Sequence, residues 1–341
     1  MADDTHPTYL SPSELGTKDY WETYYARTLA HISSPADKDA AKDNANDATT
    51  EDSDADADAD LNDEDDPGTS WFSEHNAPEN VLRFLTRSSF PLAPRNTLRH
   101  RRGQAAATAN LAAASQPSIL DLGTGNGSML ALLQKKGGFG GQMVGVDYSA
   151  QSVELARELQ RSRGHSAYRT DSEDEDDEDE HEDEDADEES TENPISAPPI
   201  QFEEWDVLGS KAVLSASGTG FEPGAADETL SWFPYARGGF DIVLDKGTFD
   251  AISLAGDAKD RRVCERYPDI VRRLVRRGGF LVVTSCNWTE EELVKWFTGA
   301  GETSPADRFV VWGRVEYPRF RFGGQEGQGV CTVCFQRVID S

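Results

Sequence analysis

Downstream of Ser118, short apolar runs alternate with stretches whose apolar residues recur at helical spacing. That alternation predicts an α/β fold, a doubly wound sheet of mostly parallel strands with helices on both faces. Strands are expected at Ile119–Leu122, Gln142–Val146, Ile200–Glu204, Phe240–Leu244 and Phe280–Ser285. The helix over Ser128–Lys135 should stop at Gly137-Gly138. A second follows the Ser149 cap, buries Val153, Ala156 and Leu159, and ends at Gly164. Pro268 should open a third, with Ile270, Val271, Leu274 and Val275 inward and Gly278-Gly279 as the turn into the fifth strand. Thr289 and Glu292 form a capping box for a fourth. Phe309–Glu316 and Val330–Val338 alternate as strands and predict an antiparallel C-terminal hairpin at the sheet edge.

Upstream, DYWETYYARTLAHI at Asp19–Ile32 places Trp21, Tyr25, Leu29 and Ile32 on one helical stripe, with Tyr20 and Tyr24 alongside. An amphipathic helix follows from that spacing. Trp71-Phe72 and Glu79–Arg87 suggest another helix leading to the sheet. The organisation expected is an N-terminal helical segment at 1–35, an acidic insertion at 36–66, and the main α/β domain at 67–341 interrupted by loose insertions at 93–116 and 171–194.

Charge sharpens this division. Residues 36–66 hold 14 acids and two lysines, and residues 171–192 hold 17 acids and no Lys or Arg. Without these tracts 32 acidic residues face 31 basic ones, so the net charge of −30 belongs to the tracts and the rest is nearly neutral. Such runs cannot bury enough apolar surface to offset chain entropy and are expected to be disordered. They serve as solvated insertions, or they attract a basic protein partner or repel nucleic acid. Four cysteines do not suggest a disulfide framework. Cys331 and Cys334 lie three apart on a strand pattern and so face opposite sides, which argues against a shared metal. No run is long enough for a bilayer, and MADDTHPTYL lacks a leader pattern. The expectation is a soluble monomer in the cytoplasm, with the nucleus as a second location, that binds neither membrane nor nucleic acid.

The densest chemistry is ILDLGTGNG at Ile119–Gly127. A dinucleotide fingerprint needs Gly at its first, third and sixth positions, and here Ser128 occupies the sixth. Asp121 just before the glycines would repel a pyrophosphate but suits a cationic cofactor such as S-adenosylmethionine. Ligands of open α/β sheets bind beyond the carboxyl ends of the strands. Four acids fall there. Asp121 ends the first strand. Asp147 ends the second, 20 residues after Gly127, where an acid accepts from a ribose diol. Asp206 in EEWDV is placed to accept from an adenine amine, and Asp245 ends the fourth strand. The cofactor-binding set is therefore Asp121, Gly123, Thr124, Gly125, Asp147, Tyr148, Asp206 and Val207.

Longer strings carry a resemblance: LGTKDYWETYYAR at Leu15–Arg27, WFSE at Trp71–Glu74, LDKGTFDAISL at Leu244–Leu254, TSCNWTEEEL at Thr284–Leu293 and FRFGGQEGQGV at Phe320–Val330. Together they resemble the elongation factor 1-alpha lysine methyltransferases of the seven-β-strand class, fungal type, over nearly all of the chain outside the insertions. Thr124 stands where relatives commonly have Cys, and Ser73 where they have Gly. The resemblance implies a sheet order 3-2-1-4-5-7-6, S-adenosylmethionine as donor, and mono- or dimethylation of a lysine of elongation factor 1-alpha. It makes Asp245 the catalytic candidate, orienting the incoming ammonium. Tyr20, Trp21, Trp71, Lys246, Gly247 and Trp288 become substrate-binding candidates, the aromatics as walls of a lysine channel or as core. DKGT replaces the Pro-Pro-aromatic signature of planar-amine methylation, which disfavours nucleobase acceptors. A small-molecule N- or O-methyltransferase and a noncatalytic acidic scaffold remain as alternatives.

Overall fold

The computed structural model describes residues 7–33, 67–68, 75–99, 116–169, 198–210, 214–215, 217–220, 229–256, 263–299, 306–318, 320–322, 325–327 and 329–340. Both acidic tracts, Trp71 and most of 93–116 lie outside them. The strands are β1 (Ile119–Leu122), β2 (Met143–Asp147), β3 (Gln201–Glu204), β4 (Phe240–Lys246), β5 (Val275–Ser285), β6 (Asp307–Val315), β7 (Phe320–Phe322), β8 (Gln325–Gly327) and β9 (Cys331–Ile339). Seven form one sheet in the order β3-β2-β1-β4-β5-β9-β6, while β7 and β8 pair separately. With that small hairpin set aside, the order is the 3-2-1-4-5-7-6 expected. Strands β1 to β5 run parallel, and β9 is antiparallel to both β5 and β6.

Helices cover both faces, as the near-continuous apolar strands require. They are α1 (Lys18–Ser33), α2 (Ala77–Thr86), α3 (Pro94–Arg99), α4 (Ser128–Lys135), α5 (Ala150–Ser162), α6 (Thr248–Ser253), α7 (Tyr267–Leu274) and α8 (Glu290–Gly299). One core joins α1, α2, α4 and α5 to Ile119, Met143, Ile242, Phe280 and Val282. The other joins α6, α7 and α8 to Leu120, Val144, Val243, Leu281 and Val283. Trp21 and Tyr25 are buried in the first core, so α1 is part of the sheet's packing. Each large apolar side chain so buried is worth about 2 kcal/mol. Cys331 belongs to the second core and Cys334 to the first, on opposite faces as strand alternation dictates.

Capping chemistry follows the sequence closely. Ser149 Oγ accepts from Ser152 N at 3.1 Å. Thr289 N donates to Glu292 Oε2 at 2.9 Å while Glu292 N donates to Thr289 Oγ1 at 3.3 Å, a reciprocal box.

Three local expectations change. The segment read as loose from residue 93 begins with α3, because Ala93 is buried and Asn96 Nδ2 donates to the carbonyls of Ser88 and Phe90. Gly278-Gly279 does not separate helix from strand. Strand β5 starts at Val275, and Gly278, at φ 75°, lies in a bulge where β5 advances from Val275 to Phe280 while β4 advances from Phe240 to Ile242. Ile270 is only half-buried, and Arg272 is buried instead, paired with Asp269 and Asp307.

Candidate active site

The carboxyl ends of β1, β2 and β4 open into a cavity of about 190 Å³. Its floor is the turn after β1, where Gly123, Gly125 and Gly127 take φ values of 61°, 57° and 74°. These are left-handed conformations that cost an L side chain about 1–2 kcal/mol, so glycine alternates because the backbone needs it. Space demands it as well. A Cβ on Gly123 would lie 2.2 Å from Thr248 Oγ1, and one on Gly125 would lie 2.8 Å from the Tyr25 hydroxyl.

Seven of the eight expected cofactor residues line this cavity: Gly123, Thr124, Gly125, Asp147, Tyr148, Asp206 and Val207. The eighth, Asp121, is set one layer behind, its Oδ2 accepting from Thr124 Oγ1 at 2.9 Å. Burial pushes the Asp121 carboxyl up to about 6, while the Lys246 ammonium and the Thr124 hydroxyl pull it back. Asp147 accepts from Ser149 N at 3.0 Å through Oδ1, and from Gly125 N at 3.1 Å and Ser152 Oγ at 2.8 Å through Oδ2. A carboxylate offers about four acceptor positions, so three chain donors leave one for a ligand hydroxyl. Asp206 is exposed at the rim, fixed by Leu208 N on Oδ1 at 2.9 Å.

The roof comes from the N-terminal segment. Trp21, Tyr25 and Gly16 line the cavity, and Trp21 Nε1 donates to the Leu15 carbonyl at 2.8 Å. Glu22 holds α1 down, its carboxylate accepting from Ala150 N at 3.1 Å and Gln151 N at 3.4 Å at the N-terminus of α5. Tyr148 OH donates to the Thr17 carbonyl at 3.2 Å, and Lys18 Nζ stands 5.7 Å from the Tyr148 ring centre. Neither Glu22 nor Tyr25 was among the expected site residues. The latter's signal was its place one turn beyond Trp21 on the aromatic stripe.

The acceptor-side expectations divide. Lys246 and Gly247 line the cavity, as does Thr248. Desolvation lowers the affinity of the Lys246 amine for its proton, against the opposing pull of Asp121 and Asp245. Asp245 does not line the cavity. Its Oδ1 accepts from Thr248 N at 3.0 Å and Phe249 N at 3.1 Å, capping α6, and its Oδ2 accepts from Tyr267 OH at 2.7 Å. The catalytic role expected of it is therefore corrected to that of a buried buttress, whose carboxyl burial pushes up to about 7. Trp288 is also corrected. It is 4% exposed, stacks on Phe249 at 6.0 Å, and donates from Nε1 to Ser253 Oγ at 3.3 Å. Tyr20 packs edge-on against Trp21 at 5.1 Å and supports that ring instead of lining the cavity. Trp71 lies outside the described residues.

The lining suits a nucleoside with a cationic tail. Among the described lining residues, the carboxylates of Asp147 and Asp206, with Asp121 behind, outnumber the one cation, Lys246, and Trp21, Tyr25 and Trp205 supply aromatic faces. Among the described residues, no group of three His, Cys, Asp or Glu could hold a metal ion.

The chain is similar in sequence to known proteins. A family described as "Methyltransferase domain" matches residues 114–197. Protein-lysine N-methyltransferase EFM4 of Saccharomyces cerevisiae is 29% identical over 96% of this chain and 96% of its own length. Its Schizosaccharomyces pombe counterpart is 27% identical over 96% and 95%. EEF1A lysine methyltransferase 2 of Homo sapiens is 25% identical over 96% and 88%. Over nearly its whole length the chain is thus similar to proteins named as protein-lysine N-methyltransferases, and its strand order and glycine-floored cavity are compatible with that likeness.

Proposed function

We propose that the enzyme takes methyl groups from S-adenosylmethionine and adds one or two of them to a lysine of translation elongation factor 1A, acting as a monomer in the cytoplasm. The observation that carries the acceptor is likeness over 96% of the chain to a human enzyme named for that factor. The donor rests on the cavity, whose carboxylates and glycine floor suit an adenosine bearing a sulfonium.

When bound, S-adenosylmethionine supplies an electrophilic methyl group. The chain's own residues do the rest. Asp147 is positioned to accept from the ribose, Asp206 to receive the base's amine, and the field of Asp121 to hold the tail's ammonium. Trp21 and Tyr25, clamped by Glu22, keep water from the cavity and offer aromatic faces to a lysine. An ammonium entering this desolvated space beside Lys246 loses affinity for its proton and gives it up to bulk water, so the amine becomes nucleophilic without a dedicated base. Transfer is then mainly a matter of alignment.

Incubating the protein with methyl-labelled donor and purified elongation factor 1A, then mapping the label by mass spectrometry, tests this. Label on one lysine of the factor is the expected result. Binding of the donor with label only on small amines, or no donor binding, would overturn it.

A further inference from the structure

The strings DKGTFDA and SCNW are far apart in sequence but form one assembly. Asp250, on α6, is wholly buried. Its Oδ1 accepts from Ser285 Oγ at 2.6 Å, and its Oδ2 accepts from Cys286 N at 2.9 Å and Cys286 Sγ at 3.5 Å. Ser285 Oγ in turn accepts from Asn287 N at 3.2 Å and Trp288 N at 2.9 Å. One carboxylate and one hydroxyl thus take up the donors of the whole turn after β5. The turn adjoins the cavity: Gly247, which lines it, donates from N to the Thr284 carbonyl at 3.0 Å, and Cys286 lies close enough to Lys246 to feel its charge. Cys286 itself is exposed, whereas Cys264, Cys331 and Cys334 are buried.

Burying a carboxylate is costly unless its hydrogen bonds are placed well. Two apolar residues could pack α6 on β5 at lower cost, but they would leave the N–H groups of residues 286–288 without acceptors. What the carboxylate secures is a fixed shape for an exposed turn beside the reacting end of the cavity.

We infer that Cys286 and Asn287, the exposed edge of the turn after β5, are the contact surface for the protein substrate flanking the target lysine, and that Asp250 is the positioning residue that sets it. This rests on the protein-methylation reading above. The substrate backbone meets a rigid edge at Cys286 and Asn287, while the lysine passes toward Gly247 and Thr248. Donor binding rests on the turn after β1, on Asp147 and on the Asp121–Lys246 charges, not on Asp250.

Cys286 supplies a built-in reporter. In the native protein, alkylation of Cys286 with iodoacetamide should be slow, because its sulfur is turned toward Asp250, where desolvation and the carboxylate push the thiol up to about 12 although the residue itself is exposed, and excess elongation factor 1A should slow it further. Asp250→Asn should speed alkylation, raise the KM for the protein substrate by about tenfold or more through misplacement of the turn, and leave donor affinity by calorimetry unchanged. Ser285→Ala, which keeps the carboxylate, should give a smaller shift of the same kind. The inference is overturned if wild-type enzyme methylates the factor but the factor gives Cys286 no protection, or if Asp250→Asn weakens donor and acceptor equally. Failure of the wild-type enzyme to methylate the factor at all would count against the functional reading, a separate outcome.

Discussion

The hydroxyl of Thr248 donates to the carbonyl oxygen of Leu122 across 2.6 Å, tying the start of α6 to the end of β1. The two motifs that bound the donor cavity are thereby held at a fixed separation, and Gly123 must lack a side chain for the hydroxyl to reach. Gly123→Ala combines a contact of 2.2 Å with a left-handed φ. It should weaken donor binding by at least about tenfold, since about 1–2 kcal/mol of backbone strain is added to the clash. Thr248→Val removes one buried hydrogen bond, about 1 kcal/mol, and should be milder. Calorimetric titration with the donor checks both, and equal effects would mean the strut is not the reason for the glycine.

Glu22 reaches from α1 to two amides at the N-terminus of α5. A carboxylate at a helix N-terminus is worth about 0.3–1 kcal/mol, so Glu22→Ala should barely change the melting temperature. Its effect should fall on the donor KM, which rises several-fold as Trp21 and Tyr25 lose their fixed position over the cavity. Turnover at saturating donor should stay near wild type. A variant with reduced turnover and an unchanged donor KM would show that α1 does not roof the cavity.

Strand-end acids look alike in sequence, but their surroundings in the fold differ. The parallel α/β alternation, the glycine turn, the Ser149 cap and the Thr289–Glu292 box were legible because each depends on neighbours in sequence or on burial of both sheet faces, whereas the strand order was implied by the family resemblance alone. Asp147 and Asp206 proved to border the cavity. Asp245 did not, because the amides of Thr248 and Phe249 and the hydroxyl of Tyr267, 22 residues away, claim its oxygens. Trp288 was absorbed by Phe249 and Trp296, a packing partner no local pattern announces. Asp250 carries no local signal for the same reason: its partners lie 35 and 36 residues downstream.

The buried state of Asp245 has a consequence for stability. Its carboxyl binds a proton more tightly folded, at about 7, than at the ordinary value of 3.8. Its contribution is therefore complete below about pH 4 and lost as pH climbs through about 7. Asn cannot ionise, and its Oδ1 can still accept from the two amides. The melting temperature of Asp245→Asn relative to wild type should thus move in the variant's favour between pH 5 and pH 8, by about 2–4 °C for each kcal/mol. A difference constant across that range would mean Asp245 stays ionised when folded.

Lys246 and Asp121 set the charge beneath the cavity together. Burial raises the Asp121 carboxyl to about 6, and Lys246 is the larger of the two influences holding it there. A protonated Asp121 offers a cationic donor less attraction, so donor affinity of the wild-type enzyme should weaken as pH falls through about 6. Lys246→Met removes the cation, and two effects follow with distinct signs. Above neutrality the donor should bind more tightly, because a like charge has left the lining. The midpoint of the acid-side loss should move above 6, because Asp121 now holds its proton to higher pH. Titrations of donor affinity from pH 5 to pH 8.5 separate the two. A midpoint that stays at the wild-type value in Lys246→Met would show that the carboxylate and the ammonium titrate independently, and that Asp121 is not the group controlling donor affinity.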